Sequence, residues 1–79
     1  MKVEFPIIVE HEGNGPNWFA SVPDLPGCFV TGNGLEQIIR NARRAISLHV
    51  LSLTVIPSPS NFSDIDSDGN KVVLVDINI

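Results

Sequence analysis

One stretch of this chain has the periodicity of a helix, and that stretch constrains the fold more than any other feature. Apolar residues recur at positions i, i+3, i+4 and i+7 from Leu35 to Leu53, which predicts an amphipathic helix of about five turns. Gly34 is the expected N-cap, and Glu36 lies in the first turn, where the helix dipole favours an anion. Pro57 and Pro59 are expected to stop the helix. The apolar stripe of this helix is expected to cover one face of a sheet.

The remaining apolar segments alternate with a period of two, which is typical of strands with one buried face. The first of them carries Val3, Phe5, Ile7 and Val9 on its apolar side. Strands are predicted at residues 2–10, 18–22, 29–31 and 71–79, separated by turn formers and, at 61–70, by a polar acidic loop. The element order is therefore β-β-β-α-β, an α+β domain.

This element order predicts how the sheet is assembled. We predict a four-stranded mixed sheet of strand order 3-2-1-4, with the one long helix on one face. If the last strand lies parallel to the first, the connection through the helix is right-handed. The other face then carries Ile8, Val72 and Leu74, which nothing within the chain is expected to cover.

The small size of the chain makes self-association an expectation. Its 79 residues are interpreted as one domain, 1–79, and a domain of this size buries only about 60% of its surface on folding. A single cysteine cannot form an intrachain disulfide. We therefore expect a homo-oligomer with Ile8, Val72 and Leu74 at its interface.

The charge balance bears on the class of partner. The chain has 5 Lys and Arg against 9 Asp and Glu, a net charge of -4. Such a domain suits a basic protein better than nucleic acid, whose phosphates require a surplus of cations. No targeting segment is visible, and the longest apolar run, Val72 to Val75, is far shorter than the roughly 20 residues that span a membrane. We expect a cytoplasmic protein that does not bind membranes.

Two motifs on either side of the helix are specific in combination. Before it stands a rigid turn with the sequence Pro23-Asp24-Leu25-Pro26-Gly27-Cys28, and after it stands the exit Ile56-Pro57-Ser58-Pro59-Ser60. Together with the helical run that begins Leu35-Glu36-Gln37 and the valine-rich last strand, they make the sequence resemble the HicB antitoxin family over nearly its whole length. Two positions depart from the family pattern: Gly34 stands where Thr is usual, and Ile38 where Ala is usual.

The resemblance implies a fold, a role and a partner. The implied fold is a partial RNase H-like β-β-β-α-β domain, and the implied role is that of the antitoxin of a type II toxin–antitoxin pair. The partner would be HicA, a small basic mRNA-cleaving protein whose active site the antitoxin occludes, and the antitoxin domain typically forms dimers or tetramers. Many relatives carry a C-terminal DNA-binding domain. Because these 79 residues end at the last strand, we expect a stand-alone form, and direct DNA binding is not carried over.

Acidic and polar loop residues are the first choice for contacts with a toxin's cationic RNA-binding face. The predicted contact residues are Glu10, His11, Glu12, Asp24, Asp64, Asp66 and Asp68.

Two alternatives stay open beside the antitoxin hypothesis. One is an orphan oligomeric module of the same fold without a toxin partner. The other is a magnesium-dependent RNase H-like nuclease, which needs carboxylates that converge on two metal ions. Its candidate ligands are Glu4 or Glu10, Glu36 and Asp76. Since the family lacks RNase H activity, we expect the protein not to be an enzyme.

The remaining residues that could bind a metal or act in catalysis are better explained by structural roles. Neither a metal nor a cofactor is therefore expected. The segment Asp64 to Gly69 copies the start of an EF-hand calcium loop, but Val75 stands where the final glutamate belongs. Cys28 and the two histidines, His11 and His49, lack the spacing of a catalytic thiol.

Two further features concern the helix and the lone tryptophan. Arg40, Arg43 and Arg44 are interpreted as a solvated helix face, with Arg40 pairing to Glu36 one turn earlier. Trp18 belongs either to the core or to an interface, and its position in the sequence favours neither.

Overall fold

The computed structural model describes residues 2–78 and has four strands and one long helix. The strands are β1 (Lys2–His11), β2 (Trp18–Ser21), β3 (Phe29–Gly32) and β4 (Lys71–Asn78), and the helix is α1 (Leu35–Leu51). The strand order is β3-β2-β1-β4, which confirms the predicted order. A short 3-10 helix, Phe62–Asp64, interrupts the loop before β4. Ile79, which we expected in the last strand, lies outside the described residues.

The prediction of a mixed sheet was wrong, because every strand pair is antiparallel. The 17 residues of α1 carry the chain about 25 Å along the sheet, and residues 52–70 then carry it back. β4 therefore starts beside Val9 and ends beside Lys2. The long return segment decides the strand direction, so the right-handed crossover of a parallel pair does not arise.

The core lies between α1 and one face of the sheet. Phe5 and Ile7 of β1 and Val75 of β4 are completely buried against Ile38 and Ile46 of the helix. Burial of each such side chain stabilises the fold by about 1.5–3 kcal/mol. The other core residues are Val9, Ala20, Val22, Leu25, Cys28, Ala42, Val50 and Ile77.

The start of α1 has the predicted N-cap, Gly34. Its φ of 139° and ψ of 163° fall in a region that is essentially restricted to glycine. The side-chain oxygen of Gln37 accepts a hydrogen bond from the Asn33 backbone N–H at 2.7 Å. This single bond is similar to one half of a capping box, but it reaches the residue before the cap, and Gly34 has no side chain to make the other half.

The end of α1 differs from the prediction, since the helix stops at Leu51 and not at the prolines. The Ser52 hydroxyl and backbone N–H both donate to the His49 carbonyl, at 2.7 Å and 3.1 Å. These bonds tighten the last turn and end the α-helical ladder. Leu53 still packs against the core, which explains why the apolar stripe continued past the end of the helix.

The hairpin between β1 and β2 also begins later than predicted. His11, expected in the loop, is the last residue of β1 and pairs with Trp18. Their rings stack with centroids 4.2 Å apart, and His11 Nε2 bonds to the Gly15 carbonyl at 2.5 Å. Trp18 therefore lies half-buried at the core edge, where its stacking on His11 extends β1 by one residue.

Candidate functional site

The sheet face turned away from the helix, called the far face below, carries exposed aromatic and acidic side chains. Because strand residues alternate between faces, the antiparallel register arranges its side chains in rows. One row runs from Val72 through Ile8 and Ser21 to Phe29, and the next pairs Glu10 with Phe19. The far face therefore brings two phenylalanines and a carboxylate together.

A depression lies in the far face around Ser21. It has a volume of about 190 Å³ and is lined by Ile8, Glu10, Phe19, Ala20, Ser21 and Phe29. Ser21 is small and lies between the larger Ile8 and Phe29 in its row, so its short side chain leaves the space open. Phe29 is 73% exposed and Phe19 38%, which is unusual for residues of this size.

The depression continues into a more acidic second hollow lined by Glu10, His11, Glu12 and Phe19. One oxygen of Glu10 accepts a hydrogen bond from the Asn70 side-chain amide at 3.0 Å. Among residues 2–78, the ion pairs join Asp76 to Lys2 and to Arg43 and none involves Glu10 or Glu12. We call the two hollows the acidic–aromatic groove, defined by Ile8, Glu10, His11, Glu12, Phe19, Ser21 and Phe29.

Three of the predicted toxin contacts, Glu10, His11 and Glu12, therefore lie together in this groove. Asp24 does not line the groove, and it lies in the β2–β3 turn, at the other end of β2 from the hairpin that carries Glu12. Its carboxylate accepts the Ser60 backbone N–H at 2.9 Å and the Ser60 hydroxyl at 2.5 Å. Asp24 thus has a structural role that the sequence analysis did not assign to it.

The acidic loop before β4 uses its aspartates mainly within the loop. Asp66 accepts the Asp68 backbone N–H at 3.2 Å, and Asp64 accepts the Asn61 side-chain amide at 3.4 Å. Asp68 has a φ of 53°, a conformation that aspartate tolerates in turns. The contact of this loop with the groove is the bond from Asn70 to Glu10.

The turn at residues 23–28 is built from nested hydrogen bonds around a buried leucine. Leu25 N–H donates to Val22 and Cys28 N–H to Leu25, both at 3.0 Å, and Val22 N–H donates to Cys28 at 3.1 Å. Leu25 is 1% exposed, and Gly27 has a φ of 87°. Pro23, Pro26 and Gly27 shape the turn, while Asp24 joins it to the segment after the helix. The two motifs that carry the family resemblance are therefore in direct contact.

The predicted oligomer contacts are exposed to different degrees. Leu74 is 44% exposed, whereas Ile8 and Val72 are half-buried. Ile8 also lines the acidic–aromatic groove. The far face thus has two adjoining parts, the groove over β1, β2 and β3 and an apolar part around Leu74 on β4.

The carboxylates considered for a nuclease do not converge. Glu4 and Asp76 are cross-strand neighbours on the far face, but Glu36 lies in the first turn of α1, on the other side of the sheet. Within residues 2–78, no three His, Cys, Asp or Glu side chains are grouped so that they could hold a metal ion. Cys28 is buried, and this burial raises the pKa of its thiol.

Arg43, which we interpreted as part of a solvated helix face, is exposed but also bonds to Asp76, a contact that was not predicted. Its Nη2 lies 2.9 Å from the Asp76 carboxylate, and its Nε donates to the Asp76 backbone carbonyl at 3.0 Å. Hydrogen bonds from Arg43 and from the backbone amide of Asp76 itself lower the pKa of the Asp76 carboxyl, as do the charges of Arg43 and Lys2. Arg43 therefore joins the helix to β4, and Arg40 and Arg44 remain exposed.

Sequence reasoning did not single out Phe19, Ser21 and Phe29, which line the groove. β2 and β3 have four residues each, too few for alternation to identify their faces. The signal that was present is the hairpin register, because pairing His11 with Trp18 places Phe19 opposite Glu10. Reading that pairing from the turn length would have identified the aromatic side of the groove.

Comparison with known proteins gives one family and two relatives. A family described as HicB_like antitoxin of bacterial toxin-antitoxin system matches residues 5–78. The N-terminal domain of the Burkholderia pseudomallei antitoxin HicB has a similar structure, with a TM-score of 0.81 and 28% identity, over 98% of this chain and 100% of that domain. An uncharacterised 14.9 kDa protein from the rep-hol intergenic region of Haemophilus phage HP1 is 44% identical over 46 residues. That match covers 58% of this chain and 33% of the phage protein, so the chain spans about a third of that relative. No helix within residues 2–78 is long and apolar enough to cross a membrane.

Proposed function

The chain belongs to the HicB-like antitoxins of bacterial toxin–antitoxin systems, and from that premise we propose that it neutralises a small basic ribonuclease toxin of the HicA type by binding it. The acidic–aromatic groove is the proposed binding surface. We further propose that the protein acts by occlusion and not by catalysis, in the cytoplasm, where the mRNA substrate of such a toxin is found.

The observation that carries this proposal is the combination of exposed aromatic rings and unpaired carboxylates on one face. Phe29 and Phe19 offer apolar contact area, which is enriched at the centres of protein interfaces. Glu10 and Glu12 lie beside them without a cation at ion-pair distance among residues 2–78. A partner with basic and apolar groups side by side would satisfy both.

The electrostatics of the whole chain agree with a cationic partner. Its net charge of -4 favours encounter with a basic protein and disfavours contact with RNA. When the groove covers a toxin's RNA-binding face, its carboxylates occupy the positions of substrate phosphates. Neutralisation then follows from exclusion of the RNA and needs no reaction on the antitoxin.

We also propose that two copies associate through the apolar part of the far face. Leu74 is exposed at its centre, with Val72 and Ile8 half-buried beside it. Burial of this area against a second copy would add to the small core of a domain of this size. Because Ile8 also borders the groove, self-association and toxin binding are expected to lie side by side.

The test is binding to the small basic protein encoded by the neighbouring gene. Purified protein should bind that toxin at micromolar concentration or tighter and should inhibit its cleavage of mRNA. Exchange of Glu10 and Glu12 for glutamine should weaken binding about tenfold or more, since it removes two interface charges. The single variants Glu10→Gln and Glu12→Gln are each compared with Glu36→Gln, which also removes one negative charge but from the helix on the other side of the sheet. Failure to bind at micromolar concentration would contradict the proposal and favour an orphan module.

A further inference from the structure

We propose that the depression around Ser21 is a socket for one arginine side chain of the basic partner. This inference rests on the proposed function, and it names the chemical group that the groove recognises. It predicts that a single arginine anchors the complex, with the other charges of the groove placed around it.

The shape of the depression suits one long side chain. Its volume of about 190 Å³ is well above the roughly 10–15 Å³ that one water molecule needs. Ser21 lines it with a small side chain, and the larger Ile8, Phe19 and Phe29 stand around it. The opening faces away from the helix, so a side chain can enter from a docked partner.

The chemistry of the walls distinguishes a guanidinium from other groups. Phe19 and Phe29 present aromatic rings, and Glu10 presents a carboxylate in the same depression. A planar guanidinium stacks on an aromatic ring and donates two parallel hydrogen bonds to a carboxylate. A lysine ammonium cannot form the planar pair, and an apolar side chain would remove water from Glu10 without offering it a hydrogen bond.

The Glu10 carboxylate is held in place but its charge is not compensated. Asn70 donates to Oε1 of Glu10 at 3.0 Å, which orients the group through a neutral amide. Lys71, the cation nearest in sequence to Asn70, pairs with Val9 and so lies on the helix side of the sheet. Within the part of the chain that the structure describes, no basic side chain forms an ion pair with Glu10.

The first experiment tests the socket without a toxin. The probe is N-acetyl-arginine methylamide, titrated into isotopically labelled protein and followed by amide chemical shifts in NMR. We expect saturable shifts, in the millimolar range, at Phe19, Ser21 and Phe29. The same derivative of citrulline, which has the shape of arginine without its charge, should bind at least about tenfold more weakly. Equal shifts with citrulline, or no saturable shift with arginine, would overturn the proposal.

Two substitutions at one position separate the socket from the charge. Ser21→Leu fills the depression and leaves Glu10 in place, whereas Ser21→Ala keeps the depression open. We expect Ser21→Leu to weaken arginine binding at least about tenfold and Ser21→Ala to retain it. A well-dispersed amide spectrum establishes that each variant is folded. Retained binding in a folded Ser21→Leu variant would contradict the socket.

The same variants keep this inference distinguishable from the proposed function. If the toxin binds the wild type and Ser21→Leu equally well, the antitoxin function stands and the socket is wrong. If the arginine derivative binds in the socket but the neighbouring basic protein does not bind at all, the socket stands and the proposed partner is wrong.

Discussion

Replacement of Asp24 by alanine removes both hydrogen bonds that tie the β2–β3 turn to the segment after the helix. The carboxylate accepts the backbone N–H and the hydroxyl of Ser60, at 2.9 Å and 2.5 Å, and both residues are half-buried. Hydrogen bonds to a charged group contribute about 1.5–3 kcal/mol each when well buried. Because this pair is partly exposed, we expect the Asp24→Ala variant to lose about 2 kcal/mol of unfolding free energy in total.

The loss should be measured by urea denaturation, with the fluorescence of Trp18 as the probe. Asp24→Asn keeps an acceptor oxygen, so it should lose about half as much free energy. A double-mutant cycle with Ser60→Ala should give a coupling energy of at least about 0.5 kcal/mol. The matched control is Asp64→Ala, an exposed loop aspartate whose loss should stay within about 0.5 kcal/mol.

Two results would refute this reasoning. One is an Asp24→Ala variant whose unfolding free energy lies within about 0.5 kcal/mol of the wild type. The other is a large loss that remains unchanged in the Ser60→Ala background, because that would place the effect of Asp24 outside the hydrogen-bonded pair.

Three further predictions concern the helix, the core and the β4 edge. Gly34→Ala should destabilise the protein by about 1–3 kcal/mol in urea unfolding, because the backbone conformation at that residue is restricted to glycine; an unchanged midpoint would contradict this. Leu25→Ala should cost about 2–5 kcal/mol in the same assay, because the side chain is 1% exposed. In Arg43→Gln, the pKa of Asp76 should rise toward its ordinary value of 3.8, as followed by carboxyl NMR. Because the pKa of Asp76 is lower in the folded state than in the unfolded state, the carboxylate stabilises the fold at a pH above its unfolded pKa, and this contribution is lost as the pH falls through its folded pKa. The wild type should therefore lose more stability than the variant on acidification below pH 3.8.

The adjacency of β1, β2 and β3 was predictable because it depends on local patterns. Alternation in β1 and the helical stripe after Leu35 each specify an element, and short turns place neighbouring strands side by side. The direction of β4 was not predictable in this way. It depends on the path of residues 52–70, which return the chain to the end of the sheet where β1 finishes, so that β4 begins beside Val9.

The candidate site was predictable in its charge but not in its shape. Glu10, His11 and Glu12 are consecutive, so their proximity follows from the sequence alone. The contribution of Phe29 depends on the register of β3 against β2, and the space at Ser21 depends on which of its neighbours are large. The bond from Asp24 to Ser60 joins residues 36 positions apart, a distance that no local pattern reports.

The contact of Arg43 with the main chain of β4 has a consequence for assembly. β4 is an edge strand, and such strands expose backbone groups that can recruit a strand from another molecule. The guanidinium already occupies the Asp76 carbonyl, so a strand added along this edge would have to displace it. Growth of the sheet into a ribbon of stacked chains is thereby hindered at this end of β4. In the association that we propose through Leu74, two copies would meet face to face, and an isologous pair of that kind closes at two copies and does not extend into a fibre.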